Sequence, residues 1–283
     1  MTILITGATG TVSGEVLRAL AGTTGVRALV RDAGRTPPVA GVEYAVGDLA
    51  DPSSLPAVFD GVTTLWLLTP MGPHAPHLSM NALWAARRAG VRHVVRLSAV
   101  GAAHDAPTRN GRLHALSDAE LTHSGLAWTI LRPHFFMQNL LGALVGNQLF
   151  GIAGEGSLGL VDVRDVAAVA AEVLTRPARH EARIYTPTGP ESMSLRRAAG
   201  EFAAHLGRPV GYTPLTPDQA HSALLQAGVD PWAAAVSAEY AEAYAGGWGD
   251  FTTTDVRDVI GRPPRTVGEF VRDHRDRLAT AAR

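Results

Sequence analysis

The chain opens on an apolar run, Ile3-Leu4-Ile5-Thr6, which breaks at Gly7-Ala8-Thr9-Gly10 and resumes from Glu15 to Leu20 with apolar Val16, Leu17 and Leu20 at helical spacing. That order reads as strand, tight turn, helix. In such an arrangement glycines let the backbone turn sharply and approach a pyrophosphate. The unpaired N–H groups and the positive dipole end of the helix then hold its charge. The expected ligand is a dinucleotide, and an ordinary tight turn is the competing reading. Position 13, where a third glycine would let the helix pack closely on the strand, carries Ser13, followed by Gly14. Serine is small enough for the site to survive.

The following segments repeat the alternation. Val26 to Val30 is a buried-type strand ending in Arg31-Asp32. The end of the second strand is where such folds read the adenosine ribose: an acidic residue accepts from the 2′-hydroxyl and a basic one pairs with a 2′-phosphate. Arg31 favours NADP(H) over NAD(H), Asp32 keeps NAD open, and an exposed Arg-Asp pair capping a strand is the alternative. Val42 to Val46 is a third strand, followed by Gly47-Asp48-Leu49, whose Asp-Leu pair is placed to contact adenine. Thr63 to Leu68 is a fourth, running into Thr69-Pro70-Met71-Gly72-Pro73, a loop suited to lie along the cofactor. After a helix over 76–89, Val91 to Leu97 forms a fifth strand ending at Ser98. Strands alternating with helices define an α/β fold, a Rossmann-type doubly wound parallel sheet.

Beyond Ser98 the sequence predicts a polar loop over 101–111, a helix over 113–123 and a strand over 126–131 ending at Arg132-Pro133. It further predicts an apolar helix carrying Phe135, Phe136, Met137, Leu140 and Leu141, then a strand over 158–161, a helix over 163–174 and a strand at 184–185. Past Pro187 the character shifts to helices, over 195–206, 217–226, 231–244 and 267–278, interrupted by a strand at 210–212. The expected division is a dinucleotide-binding domain over 1–187 and a smaller, mainly helical substrate lobe over 188–283, with contributions from 134–157.

Composition closes several routes. A formal net charge of −1 gives no electrostatic footprint for nucleic acid or an anionic membrane. The absence of cysteine excludes disulfides, thiolate catalysis and Cys-ligated metals. His74 and His77 stand three apart in a Pro-marked loop without a third ligand, so no metal site is expected. A strand at the N-terminus and the lack of a long apolar run point to a cytoplasmic protein. A homodimer remains open. All 25 basic residues are arginine, which forbids any mechanism that needs a lysine.

Taken in order, Thr6-Gly7-Ala8-Thr9-Gly10, Gly47-Asp48-Leu49, the Ser98 strand end, Ser124 to Pro133, Asp162 to Ala167, Thr188 to Glu191 and Gly261-Arg262-Pro263-Pro264 resemble the NmrA-like branch of the atypical short-chain dehydrogenases/reductases. The resemblance covers nearly the whole chain. It implies an NAD(P)H-binding Rossmann-type fold whose members reduce quinones, ketones or similar electrophiles, or merely sense the cofactor; some bacterial relatives are tailoring enzymes for aromatic polyketides. By that similarity Gly7, Thr9, Gly10, Thr11 and Val12 line the pyrophosphate, Arg31, Asp48 and Leu49 the adenosine, and Thr69, Pro70 and Ser98 the nicotinamide side, with Pro133 a further cofactor contact.

Typical short-chain dehydrogenases place a Tyr and a Lys four residues apart on the helix after the fifth strand. Here there is no lysine, and no tyrosine between Tyr44 and Tyr185. That helix instead offers Asn110 and His114, with Asp118 one turn further on the same face, where its carboxylate would orient and charge the imidazole. His114 is thus either a cofactor anchor or proton donor, or a surface histidine paired with Asp118. Ser98 is either an active-site serine or a strand-end cap. Without a tyrosine acid, a simple ketone would be left as a strongly basic alkoxide, whereas a quinone yields a phenolate-type anion with a pKa of about 10. The expected activity is hydride transfer from NAD(P)H to an aromatic or quinone-like small molecule, with Phe135, Phe136 and Trp232 as substrate contacts. Two alternatives stand beside it: an oxygenase-type tailoring enzyme in which the reduced quinone reacts with O₂, and a non-catalytic redox sensor.

Overall fold

The apolar runs at the start of the chain are strands because their side chains are buried on both faces, as a parallel sheet covered by helices requires. Ile3, Leu4 and Ile5 are all 0% exposed. The computed structural model of the protein describes residues 1–35 and 38–280. Its elements follow as β1 (Ile3–Ile5), α1 (Thr11–Ala19), β2 (Val26–Val30), β3 (Val42–Val46), α2 (Leu55–Phe59), β4 (Thr64–Leu67), α3 (Ala75–Ala89), β5 (His93–Leu97), α4 (Arg109–Thr122) and β6 (Ala127–Leu131). There follow α5 (Asn139–Ala143), β7 (Leu144–Val145), β8 (Gln148–Gly151), β9 (Ser157–Leu158), α6 (Val163–Thr175), β10 (Arg183–Tyr185), β11 (Met193–Ser194), α7 (Leu195–Leu206) and β12 (Gly211–Pro214). The chain ends with α8 (Pro217–Gln226), α9 (Pro231–Ala245), α10 (Asp255–Ile260), α11 (Val267–Asp273) and α12 (Arg275–Thr280).

Contacts divide the chain into two compact units. The first comprises Met1–His104, Asn110–Arg132 and Val166–Tyr185; the second comprises Asp105–Arg109, Pro133–Asp165 and the chain from Thr186 onward. Within the first unit seven strands pair in the order β10-β6-β5-β4-β1-β2-β3, all in parallel. The fold is therefore the doubly wound α/β sheet read from the sequence. The strand order reverses at β1, which lies between β2 and β4, and ligands of such sheets bind outside the strand carboxyl ends at that point. A core of Leu4, Leu55, Phe59, Leu65, Leu83, Val94 and neighbouring side chains packs helices onto this sheet.

The second unit has its own core, built on Met137, Leu140, Leu149, Phe202, Tyr244 and Phe270. Small sheets pin it: β12-β8-β7, and the antiparallel pair β9-β11. Helix starts here are locally encoded. Thr216 with Gln219 and Thr266 with Glu269 form capping boxes on α8 and α11, each satisfying two free N–H groups.

The expected apolar helix through Phe135 and Phe136 is corrected. The chain there is extended, Phe136 bridges Val161 in parallel, and the helix begins only at Asn139. Helix α4 starts at Arg109, inside the predicted polar loop, because Glu239 receives the Arg109 backbone N–H at 2.6 Å and its Nε at 2.5 Å. The predicted strand over 158–161 is the shorter β9. The helix over 267–278 is split by His274, at φ −109° and ψ 17°.

Candidate functional site

The Gly7–Gly10 turn follows β1 directly, at the switch point. Gly7 has φ +63°, and a Cβ there would stand 2.8 Å from Leu68 Cδ2, so glycine is required twice over. Gly10 caps α1 without any side-chain hydrogen bond, and no acidic residue occupies the first turn. The N–H groups of Thr11 and Val12 thus start a helix that no side chain caps, the arrangement that receives a phosphate.

Ser13 explains how the turn tolerates losing its third glycine. Its hydroxyl donates to the Thr6 carbonyl at 2.8 Å and accepts from the Trp66 indole N–H at 2.9 Å, with all three residues fully buried. Thr6 Oγ1 in turn donates to the Leu68 carbonyl and accepts from the Leu68 N–H, both at 2.8 Å. The carboxyl ends of β1 and β4 are therefore laced together beneath the loop. Gly14 has open space around its Cβ position and takes over none of the missing glycine's packing.

Around the same edge, Arg31 is exposed just after β2, while Asp32 Oδ1 accepts from the Gly34 N–H at 2.9 Å. Asp48 closes its own turn by accepting from Ala50 N–H, and Leu49 is buried with its carbonyl held by Asn81 Nδ2 at 2.8 Å. Asn81, on α3, was not anticipated; a polar amide among the alanines and leucines of that helix is the signal that could have found it. Thr69 is half-buried and Pro70 exposed in the loop after β4. Pro133, buried, follows β6 as the first residue of that stretch of the second unit.

The carboxyl ends of β5 and β6 carry a buried ionic network centred on Asp118 of α4. Its Oδ1 receives Arg96 Nε at 2.9 Å; its Oδ2 receives the Ser98 hydroxyl at 2.8 Å and Arg132 Nε and Nη2 at 3.1 and 2.9 Å. Arg96, 1% exposed, also donates from Nη1 to Ser79 Oγ and faces His114 Nδ1 with Nη2, both at 3.3 Å. Burial pulls the Arg96 pKa down and Asp118 opposes that, keeping the guanidinium charged.

The structure thus brings Ser98 and His114 into one network, but not in the expected pairing. Asp118 serves two arginines and Ser98, and the imidazole sits against Arg96 instead. The His114 pKa falls to about 4, first through burial and then through Arg96, with Asp118 opposing and Arg132 adding to the fall. Ser98 has its one proton turned to Asp118, so its lone pairs are what it offers outward. Arg96 and Arg132 were missed as site residues; a charged residue within an apolar strand, Val94-Val95-Arg96-Leu97, was the available signal.

In the second unit, Phe135 joins an aromatic cluster. It meets Tyr244 edge-on at 6.0 Å, Tyr244 stacks on Tyr240 at 5.5 Å, and Trp248 and His134 lie against the same ring. Trp232 opens α9, about 12 Å along the helix from Tyr240. Tyr240, Tyr244 and Trp248 recur every four residues and pack into the core of the second unit. Trp66, by contrast, is core.

A groove of about 690 Å³ on α3 and α4, lined by Met80, Trp84, Arg87, Glu120 and His123 among others, contains none of these site residues. Among the described residues, no group of three or more His, Asp or Glu side chains could hold a metal ion. No described helix is long and apolar enough to cross a membrane.

A doubly wound sheet with an open helix N-terminus at its switch point defines a dinucleotide-binding protein. A family model described as NAD(P)H-binding matches residues 7–177. The chain is 38% identical to an NAD(P)H azoreductase of Xenophilus azovorans, covering 96% of this chain and 97% of that one. It is 35% identical to a (4-alkanoyl-5-oxo-2,5-dihydrofuran-3-yl)methyl phosphate reductase of Streptomyces griseus, covering 98% and 99%. Among solved structures, it superposes on an NADPH-dependent quinone oxidoreductase of Escherichia coli complexed with NADPH, with TM-score 0.86, 27% identity and coverage of 95% and 98%. The chain belongs to the NAD(P)H-binding family and is an NAD(P)H-dependent oxidoreductase.

Proposed function

We propose that this enzyme transfers hydride from NADPH to a flat, electron-poor conjugated acceptor of the quinone or azo type. The observation that carries this reading is the Asp118 network: Ser98 spends its proton on Asp118, the chain has no lysine, and α4 carries no tyrosine to supply an acid. Two guanidiniums against one carboxylate leave positive charge beside Ser98, which stabilises an anion as it forms. Acceptors whose reduced form is a stable anion suit such a site. The relatives are named for azo, quinone and unsaturated-lactone reduction, and all three substrates are conjugated acceptors.

The residues present fit the nucleotide. The α1 N-terminus with Gly7, Thr9, Gly10, Thr11 and Val12 would hold the pyrophosphate. Arg31 would take a 2′-phosphate, Asp48 and Leu49 would flank the adenosine, and Thr69, Pro70 and Ser98 would border the nicotinamide; Pro133 is a further proposed cofactor contact. The bound nucleotide supplies the hydride; the protein orients it and stabilises charge. Phe135, Phe136 and Trp232 are proposed substrate contacts.

The test is stopped-flow absorbance at the nicotinamide band, mixing protein and NADPH or NADH with quinones, polycyclic hydroxyquinones and azo dyes, with and without O₂. Acceptor-dependent oxidation of NADPH supports the proposal. Tight coenzyme binding with no oxidation by any acceptor would replace it with a redox sensor, and O₂ incorporated into product would replace it with an oxygenase.

A further inference from the structure

The hydrogen bond between Arg96 and His114 fixes more than a position. A guanidinium nitrogen can only donate, so Arg96 Nη2, 3.3 Å from His114 Nδ1, makes that nitrogen an acceptor without a proton. Arg96 has little freedom to turn away, because Asp118 holds its Nε and Ser79 its Nη1. The ring's hydrogen therefore sits on Nε2. An imidazolium would instead point an N–H from Nδ1 at a guanidinium. The charged groups around the ring come from three elements: Arg96 on β5, Arg132 after β6, and Asp118 on α4, which is itself engaged by both arginines. Their sum is positive and opposes protonation.

We propose that His114 acts as a neutral Nε2–H hydrogen-bond donor to the anion that hydride transfer creates on the acceptor, and that no protein group protonates that anion during the transfer. This role rests on the function proposed above. In the step, the C4–H bond of the reduced nicotinamide breaks and its electron pair leaves with the hydrogen. The nucleotide becomes the oxidised pyridinium, a quinone acceptor gains the hydride, and its displaced π pair settles on the quinone oxygen. The proton that completes the hydroquinone comes from water. A neutral imidazole is a very weak acid but an effective donor, and one that needs no protonation at working pH. With a pKa near 4, on the order of one ring in a thousand would be protonated at pH 7.

Two measurements on the full chain decide this. Nitrogen-15 histidine spectra, with His114 assigned by difference against H114Q, should show an Nε2–H tautomer that does not titrate between about pH 5 and 8. In quinone-dependent NADPH oxidation, H114Q restores an N–H donor near the Nε2 position and should keep kcat within about threefold. H114A should lose about tenfold to a hundredfold. The wild-type kcat should show no limb near the unperturbed histidine value. An Nδ1–H tautomer, a kcat limb near pH 6.5 that H114Q abolishes, or wild-type turnover in H114A would each overturn the role while leaving the function standing. Absence of acceptor-dependent oxidation by the wild type would remove the function and this role together.

Discussion

Ser13 offers the sharpest test of how the nucleotide loop is built. Replacing it by alanine removes one hydroxyl that is 0% exposed, and with it two hydrogen bonds, to Thr6 O at 2.8 Å and from Trp66 Nε1 at 2.9 Å. The first loss costs about 1 kcal/mol, the net value of an ordinary hydrogen bond. The second leaves the Trp66 indole N–H buried without a partner, at about 1–3 kcal/mol. Ser13→Ala should therefore destabilise the protein by about 2–4 kcal/mol, lowering Tm by roughly 4–16 °C for a chain of this size. Ser13→Gly should cost about 1 kcal/mol more, because it also places glycine in the first turns of α1.

The decisive comparison is with Trp66→Phe, which removes the donor that the alanine variant would strand. In that background Ser13→Ala should cost only about 1 kcal/mol, a coupling of about 1–3 kcal/mol in the double-mutant cycle. Urea unfolding at constant m-value, without nucleotide, reads all four corners. If Ser13→Ala costs less than about 0.5 kcal/mol, or costs the same in both backgrounds, the bridge is not what holds Ser13 in place.

Arg31→Ala should weaken NADPH about tenfold to a hundredfold, the worth of a charge-assisted contact, and leave NADH nearly unchanged; equal losses in titration calorimetry would remove the case for NADP. Asp118→Ala strands the buried Arg96 and should cost about 3–5 kcal/mol, visible as a large fall in the urea midpoint; a variant as stable as the wild type would mean that Arg96 finds another partner. His93 and His134 are buried with pKa values lowered to about 4, so the unfolded chain binds more protons than the folded one between about pH 6.5 and 4. Stability should thus fall as pH drops through that window, by on the order of 2 kcal/mol per histidine by pH 5, reaching its full loss below pH 4. A flat unfolding midpoint from pH 7 to 5 would show that these rings are protonated in the fold.

The first half of the fold was legible because β1, β2, β4 and β5 are short, largely apolar runs that end near glycine or a polar residue, and parallel strands buried on both faces leave that signature. The segment from Phe135 to Leu158 was not. Its apolar residues serve a core reached from several directions, so Phe136, Met137, Leu140 and Leu141 show helical spacing while Phe136 pairs as extended chain with Val161. Strands β7 and β9, two residues each, are too short to show a period. The site divides in the same way. Glycines of the turn announce themselves because backbone geometry demands them. The partnership of Asp118 was misassigned to His114 because helix spacing records only neighbours on one helix, whereas Arg96 and Arg132 approach from adjacent strands.

That network also says what kind of reductase can work without a tyrosine and a lysine. In the usual arrangement a cation lowers the pKa of a phenol so that it can surrender its proton. Here the cations remain, as Arg96 and Arg132, but the groups they touch have no acidic proton to give: Asp118 is an acceptor, Ser98 donates to it, and His114 receives from Arg96. Such a site lowers the energy of an anion by charge and hydrogen bonding and leaves its protonation to solvent. The stabilisation suffices when the product anion is as weakly basic as a phenolate, with a pKa of about 10, and falls short for the alkoxide of an isolated ketone. On this reading the low basicity of what hydride transfer leaves behind favours quinone acceptors over isolated ketones.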